Sequence, residues 1–283
     1  MRIATWNVNS LKARLPRVEE WLAQRAPDVL LMQETKLADE AAPDMPFGMA
    51  GYQLLHHGEG RWNGVAIASR VGIEDVVTNF GDGPVRRSPG PDSVAAAAPI
   101  AEALEAEASI APGDEARMVS AVCGGVRVVS IYAPNGRALE TPFYRAKLAW
   151  FERLARWLRE TQDPAEPLVI GGDFNVAPED ADVYDPAFFA GSTHVSPAER
   201  AAVAALRDWG LMDAYRLHHP EPGKFSWWDY RAGNFHKGLG MRIDHMYVTR
   251  SVADRCIAAE IDRDARKGHL PSDHAAVYID LAD

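Results

Sequence analysis

Residues 168–175 read Leu168-Val169-Ile170-Gly171-Gly172-Asp173-Phe174-Asn175, an apolar β-rich run that stops on two glycines and then presents an acid and an amide. Seven further runs share its apolar, strand-like character, at residues 3–8, 28–33, 64–69, 118–123, 126–132, 241–249 and 275–281. Between some of them lie amphipathic helical patterns. One covers 11–25. The clearest covers 140–160, where Phe143, Leu148, Trp150, Phe151, Leu154 and Leu158 recur at helical spacing. A third, 197–209, opens with Ser196-Pro197-Ala198-Glu199, a capping-box pattern with proline in the first turn. Strands mixed with helices along one unit predict an α/β architecture with helices covering sheets.

The chain has 283 residues and 47% hydrophobic content, enough for one large α/β core. No internal repeat or long linker divides it, so 1–283 is read as a single catalytic domain. The segment 84–112 stands apart, rich in Ala, Pro and Glu, and is expected to be a surface insertion with room for a short helix at 100–108. No apolar run reaches about 18 residues, so no membrane-spanning helix is expected. The first residues read directly as a strand and lack a signal-peptide layout. Cys123 and Cys256 fit neither a disulfide framework nor zinc spacing, and point to buried thiols in a cytoplasmic protein. The net charge of −10 argues at first against a nucleic-acid partner. Yet residues 81–116 carry seven acids against two arginines and supply half of that charge, leaving the rest of the chain only mildly acidic.

Polar residues close the apolar runs. Asn7 ends the first, Glu34 follows the second, and Tyr132 ends 126–132. Asp173 and Asn175 follow 168–171, Asp244 lies inside 241–249, and Asp273-His274 precedes the last run. Ligands of layered α/β folds gather at strand ends and adjoining loops. Each residue alone has an ordinary account. Gly172–Asn175 could be a turn, and Ser272-Asp273-His274 a strand entry with a satisfied histidine. Glu34 could pair with Lys36, and Asn7 could cap the following helix in competition with Asn9 and Ser10. Their joint occurrence favours one pocket.

The same residues carry a family resemblance. Trp6-Asn7-Val8-Asn9, Pro27-Asp28-Val29 through Gln33-Glu34-Thr35-Lys36, Tyr132-Ala133-Pro134-Asn135-Gly136-Arg137 and Gly172-Asp173-Phe174-Asn175 come first. Phe225-Ser226-Trp227-Trp228-Asp229-Tyr230, Met241-Arg242-Ile243-Asp244 and Ser272-Asp273-His274 follow. In this order they resemble the exonuclease III branch of the exonuclease–endonuclease–phosphatase superfamily over nearly the whole chain. The resemblance implies a four-layer sandwich, two mixed β-sheets face to face with helices on both outer faces. It implies a metal site in which Glu34 binds the ion, with Asn7 and Asp273 beside it and Asp173 and Asn175 within reach. Magnesium suits such oxygen donors, and manganese is expected to substitute. By the same resemblance Asp173 deprotonates or orients the attacking water and Asn175 fixes it. His274, aligned by Asp244, donates to a non-bridging phosphate oxygen, and Tyr132 acts on the phosphate or the leaving oxygen.

The substrate implied is duplex DNA, cut 5′ to abasic sites and trimmed at 3′ ends. Trp227 would pack on a flipped-out deoxyribose, with Trp228 left to core packing. Asn135 is a candidate DNA contact, and Arg137 would reach into the base stack or is a solvated loop residue. Lys224, Arg231, Lys237 and Arg242 are candidate phosphate contacts, each of which could equally be an ordinary surface charge. Asp213-Ala214-Tyr215-Arg216 departs from the family's pattern by its alanine, and Leu217 stands where a basic residue is usual. The pairs His56-His57 and His218-His219 read as surface residues. No membrane partner is expected, and a monomer is. Two other readings share the fold: a phosphoinositide or phospholipid phosphodiesterase or phosphatase, and a catalytically inactive nucleic-acid-binding regulator. The Trp227 motif speaks against the first and the complete set of polar positions against the second.

Overall fold

The computed structural model describes residues 1–81 and 115–282. The insertion expected at 84–112, with its short helix, lies outside the described residues. In chain order the strands are β1 (Arg2–Asn7), β2 (Val29–Gln33), β3 (Gln53–His57), β4 (Val65–Ser69), β5 (Glu74–Thr78) and β6 (Met118–Cys123). There follow β7 (Val126–Tyr132), β8 (Leu168–Asp173), β9 (Met212–Asp213), β10 (Asp244–Val248), β11 (Cys256–Asp262) and β12 (Ala276–Leu281). One six-stranded sheet has the order β11-β12-β1-β2-β4-β3 and the other β5-β6-β7-β8-β10-β9. Both are mixed: β1 runs parallel to β2, and β7 parallel to β8, among antiparallel neighbours.

Strand periodicity builds the layers, because successive side chains face opposite ways. On β1 and β2, Ile3, Val29 and Leu31 point inward and meet Val119, Val128, Val169 and Met246 of the second sheet in one core. Ala4, Trp6, Leu30 and Met32 point outward, under the Leu11–Arg25 helix, whose Leu11, Val18, Trp21 and Leu22 cover them. The second sheet turns Val129, Ile131, Leu168 and Ile170 outward beneath the helices Pro142–Thr161 and Pro197–Trp209. This is the four-layer α/β sandwich expected. Gly171 leaves room for its neighbours: a Cβ there would sit 2.8 Å from Leu31 Cδ1 of the other sheet and from Met246 Sδ of its own. Beside it the interior turns polar but satisfied, with Gln33 Nε2 donating to Thr5 Oγ1 of its own sheet and to Ser130 Oγ of the other, both at 3.0 Å.

The eight apolar runs become β1, β2, β4, β6, β7, β8, β10 and β12, every interior strand of both sheets. The four unanticipated strands, β3, β5, β9 and β11, are the four sheet edges. The helix expected at 197–209 forms as Pro197–Trp209, and the Ser196–Glu199 capping box forms reciprocally. No helix among the described residues is long and apolar enough to cross a membrane.

Topology brings the polar strand ends to one rim. Asn7 pairs in register with Gln33 at the ends of β1 and β2, next to Glu34. Tyr132 and Asp244 both pair in register with Asp173 at the ends of β7, β10 and β8.

Candidate active site

Asn7 joins the sheets. Its fully buried amide donates from Nδ2 to Glu34 Oε1 and to Asp173 Oδ2, each at 2.9 Å, so one side chain holds a carboxylate from each sheet. Glu34 stands in the left-handed region at φ 50°, immediately past β2, which turns its carboxylate over the rim. Burial pushes its pKa up, but Lys36 Nζ at 2.8 Å, the Asn7 amide and His274 more than offset this, and the carboxyl stays below its usual range.

His274 Nδ1 lies 2.8 and 3.0 Å from the two oxygens of Asp244, so the ring's other nitrogen, Nε2, faces Asp173 Oδ2 at 3.9 Å. Ser226 Oγ donates to Asp244 Oδ2 at 2.6 Å and accepts the backbone N–H groups of Ile243 and Asp244, which fixes that carboxylate. Burial opposes charge on the imidazole, yet Asp244 and Asp173 win and raise His274 to about 10. Asp173 is fully enclosed; burial raises it to about 7, His274 pulling it down while Asp244 and Glu34 push it further up. The Tyr132 phenol, hydrogen-bonded to Glu34, is driven well above its ordinary value by burial and by that carboxylate. Arg117 lies over the Tyr132 ring, 4.9 Å from its centroid.

Glu34, Asp173 and His274 each offer a ligand atom within 4.8 Å of the others. Two hard carboxylates in one cluster, with Asp173 raised by burial and then by the neighbouring Asp244 and Glu34, fit a divalent cation with oxygen preference. Asp273, expected beside the ion, is outside this cluster: its oxygens accept from Asn9 Nδ2 at 2.9 Å and Trp227 Nε1 at 3.1 Å. Asn175, at φ 52°, donates its backbone N–H to Asp173 Oδ1 at 2.9 Å, and its amide bridges Ala133 O and the Asn135 amide.

Around this centre, Trp227 is half-buried and forms bridges with both Met241 and His274. Trp228 is buried in the core, as expected. Asn135 and Arg137 are exposed on the adjoining loop, the guanidinium 3.8 Å from the Phe143 ring centroid. Arg242 is a correction. It is 1% exposed and ion-paired with Asp182 at 2.7 Å and Asp213 at 2.8 Å, so it is a core cation and cannot reach DNA. The Asp213–Arg216 motif joins the same buried network through Arg216 and Asp182. Arg231 is exposed but engaged by Asp229 at 2.6 Å. His57 is also corrected: it is buried, with Nε2 3.2 Å from Asn79 Oδ1.

Several supporting residues escaped the sequence reading. Lys147 is 0% exposed, and its ammonium donates to Glu199 Oε1 (2.5 Å), Asn175 O (2.7 Å) and Asn135 O (3.2 Å). Glu199 also accepts from Thr193 Oγ1, His194 N and Ser196. One buried ion pair thus stitches three loops behind the site. The capping box was its only signal in sequence. Asn9, Lys36 and Ser226 lie inside recognised motifs, but their contacts depend on tertiary proximity.

Comparison with known proteins agrees with this geometry. The family model described as Endonuclease/Exonuclease/phosphatase family matches residues 4–274. Exodeoxyribonuclease III of Haemophilus influenzae is 32% identical over 99% of this chain and 100% of its own length. An AP endonuclease structure from Archaeoglobus fulgidus superposes with a TM-score of 0.86 at 33% identity, covering 99% of both chains. A Neisseria 3′ phosphatase bound to a product DNA hairpin gives 0.85 at 36% identity, covering 100% of this chain and 99% of the other.

Proposed function

The chain belongs to the Endonuclease/Exonuclease/phosphatase family, and from that membership we propose that it is a DNA-repair nuclease. It hydrolyses phosphodiester bonds 5′ to abasic sites and removes nucleotides or blocking groups from 3′ ends of duplex DNA. The observation that carries the reading is the Asn7 amide shared between Glu34 and Asp173, facing a histidine locked on Asp244. It draws two carboxylates, one from each sheet, into one cluster with that histidine, which supports a base and a cationic donor acting together.

Each group then has a task. Asp173 takes the proton of the attacking water, and Asn175 holds the backbone around it. The water oxygen bonds to phosphorus, the bond from phosphorus to the 3′ oxygen breaks, and that oxygen takes up a proton from solvent. His274, cationic and aligned by Asp244, donates from Nε2 to a non-bridging oxygen, where charge accumulates. Tyr132 keeps its proton and donates beside Glu34. Glu34 and Asp173, with Asn7 supporting both, would hold Mg2+, replaceable by Mn2+; bound there it neutralises phosphate charge and the departing oxygen. Trp227, with its indole N–H on Asp273 and its ring at the rim, offers the face against which an extrahelical deoxyribose packs.

Incubation with a tetrahydrofuran-containing duplex, a 3′-recessed duplex and a 3′-phosphate duplex, each with Mg2+ and with EDTA, tests the proposal. Mg2+-dependent incision 5′ to the tetrahydrofuran is expected, with Trp227→Ala harming incision more than 3′ trimming. No metal-dependent product from any of the three, beside an active control enzyme, rejects it.

A further inference from the structure

A DNA enzyme with a net charge of −10 needs phosphate contacts, and the structure removes Arg242 from the expected set and occupies Arg231 with Asp229. Arg14, Arg263 and Arg266 have no carboxylate partner among the described residues, and they gather on one face. Arg14 donates from Nη1 to Asn9 O (2.7 Å) and from Nη2 to Tyr230 Oη (3.2 Å). Arg266 lies against the other side of Tyr230, its Cζ 4.8 Å from that ring and 5.2 Å from Phe235. Arg263 covers Phe235 at 4.2 Å and donates to its carbonyl at 2.7 Å.

Arg266 is the informative member. Only 7% of it is exposed, its Nε is buried without a hydrogen-bond partner, and its guanidinium packs on Tyr230 and Phe235, with Asp273 acting on it through space but not ion-paired to it. A buried cation that no carboxylate contacts directly is only partly neutralised, which favours an anion supplied from outside. Other charges nearby cancel locally: Lys267 with Asp264, Arg17 with Glu20, and Arg25 with Asp262. The patch is continuous with the site. Asn9, whose carbonyl holds Arg14, donates from its amide to Asp273, and Asp273 accepts the Trp227 indole. Tyr230, 48% exposed, lies between two of the arginines and donates to Pro271 O.

We propose that Arg14, Arg263 and Arg266, spaced along the Tyr230–Phe235 aromatic ridge, form a phosphate track that carries the DNA backbone away from the Trp227 side of the active site. This rests on the nuclease reading above. The ridge sets the arginines at fixed positions, so the track selects by backbone geometry and is indifferent to base sequence.

The test is equilibrium binding of a tetrahydrofuran-containing duplex in EDTA, from 50 to 200 mM salt, for wild type, Arg14→Gln, Arg263→Gln, Arg266→Gln and Arg266→Lys. Each glutamine variant should bind more weakly. Because each phosphate contact contributes about 0.9 to the slope of log K on log salt, the ratio of wild-type to variant affinity should shrink about threefold across that range. Arg266→Lys should keep the wild-type salt response. Affinity ratios that stay constant with salt in all three glutamine variants overturn the proposal, since packing arginines would behave that way. If Arg266→Gln does not fold, Arg14→Gln and Arg263→Gln, at half-buried and exposed positions, decide the matter. Wild-type incision with Mg2+ separates the two claims: incision with unaltered salt slopes sinks the track alone, whereas a wild type that neither binds nor cuts sinks both.

Discussion

In the proposed mechanism Asp173 is the base, and its setting fits an aspartate to that task. Two carboxylates crowd it, burial penalises its charge, and a backbone N–H and the Asn7 amide hold its two oxygens apart. An amide would keep the shape and lose the base. Asp173→Asn should therefore lower kcat by about 10²–10⁴-fold while duplex binding in EDTA persists. Single-turnover cleavage beside a binding titration measures both, and an unchanged kcat would remove Asp173 from the chemistry. At this scale the polar strand-end residues were readable because strand termini announce themselves in sequence. Arg242 misled because it sits in the same motif as Asp244, and nothing local reveals the acids Asp182 and Asp213 waiting in the core.

Among the elements, the Pro142–Thr161 and Pro197–Trp209 helices act through one contact, Lys147 with Glu199. Lys147 grips the carbonyls of Asn135 and Asn175, so the helices position the loops that carry Asp173's neighbours. Glu199→Gln keeps acceptor geometry but strands a buried ammonium, which should cost about 3–5 kcal/mol. The melting temperature should fall and kcat with it. Lys147→Met with Glu199→Leu should restore much of the stability, because an apolar pair of similar volume tolerates burial. If the pair also positions the site, kcat stays low in that stable double variant; recovery of both would make its role purely structural. Thermal melts with kcat and KM determinations separate these outcomes. Sequence patterning exposed the interior strands because both faces are buried and they read as near-continuous apolar runs. The edges β3, β5, β9 and β11 mix polar with apolar residues and derive their strand character from a neighbour's hydrogen bonds, so their own residues say little. A lysine inside an amphipathic helix likewise gives no sign that its partner lies 52 residues on.

For the whole molecule, stability should depend on pH through buried histidines that the cleavage step does not use. His245 is held as a neutral tautomer, because Arg242 Nη1 donates to its Nδ1 at 3.0 Å while its Nε2 donates to Val176 O at 2.9 Å. Burial and the neighbouring Arg242 lower its pKa from 6.5 to about 4. The unfolded chain takes up this proton below about pH 6.5 and the folded one resists until about 4, so stability falls as pH drops through that window. The loss from this ring is on the order of 3 kcal/mol. His194, lowered to about 4 by burial and Lys147, acts in the same direction. Denaturant unfolding at pH 7.5 and pH 4.5 should show the decline, and His245→Gln should flatten it; an equal decline in that variant would reject the assignment.

The central claim is that side chains from both sheets converge on one divalent ion and the phosphate beside it. Anomalous diffraction from a crystal equilibrated with Mn2+ tests this most directly. The account predicts an anomalous peak between the carboxylates of Glu34 and Asp173, lost in Glu34→Ala crystals treated alike. A peak elsewhere on the molecule, or none there while dissolved crystals still cut an abasic duplex with Mn2+, would contradict it.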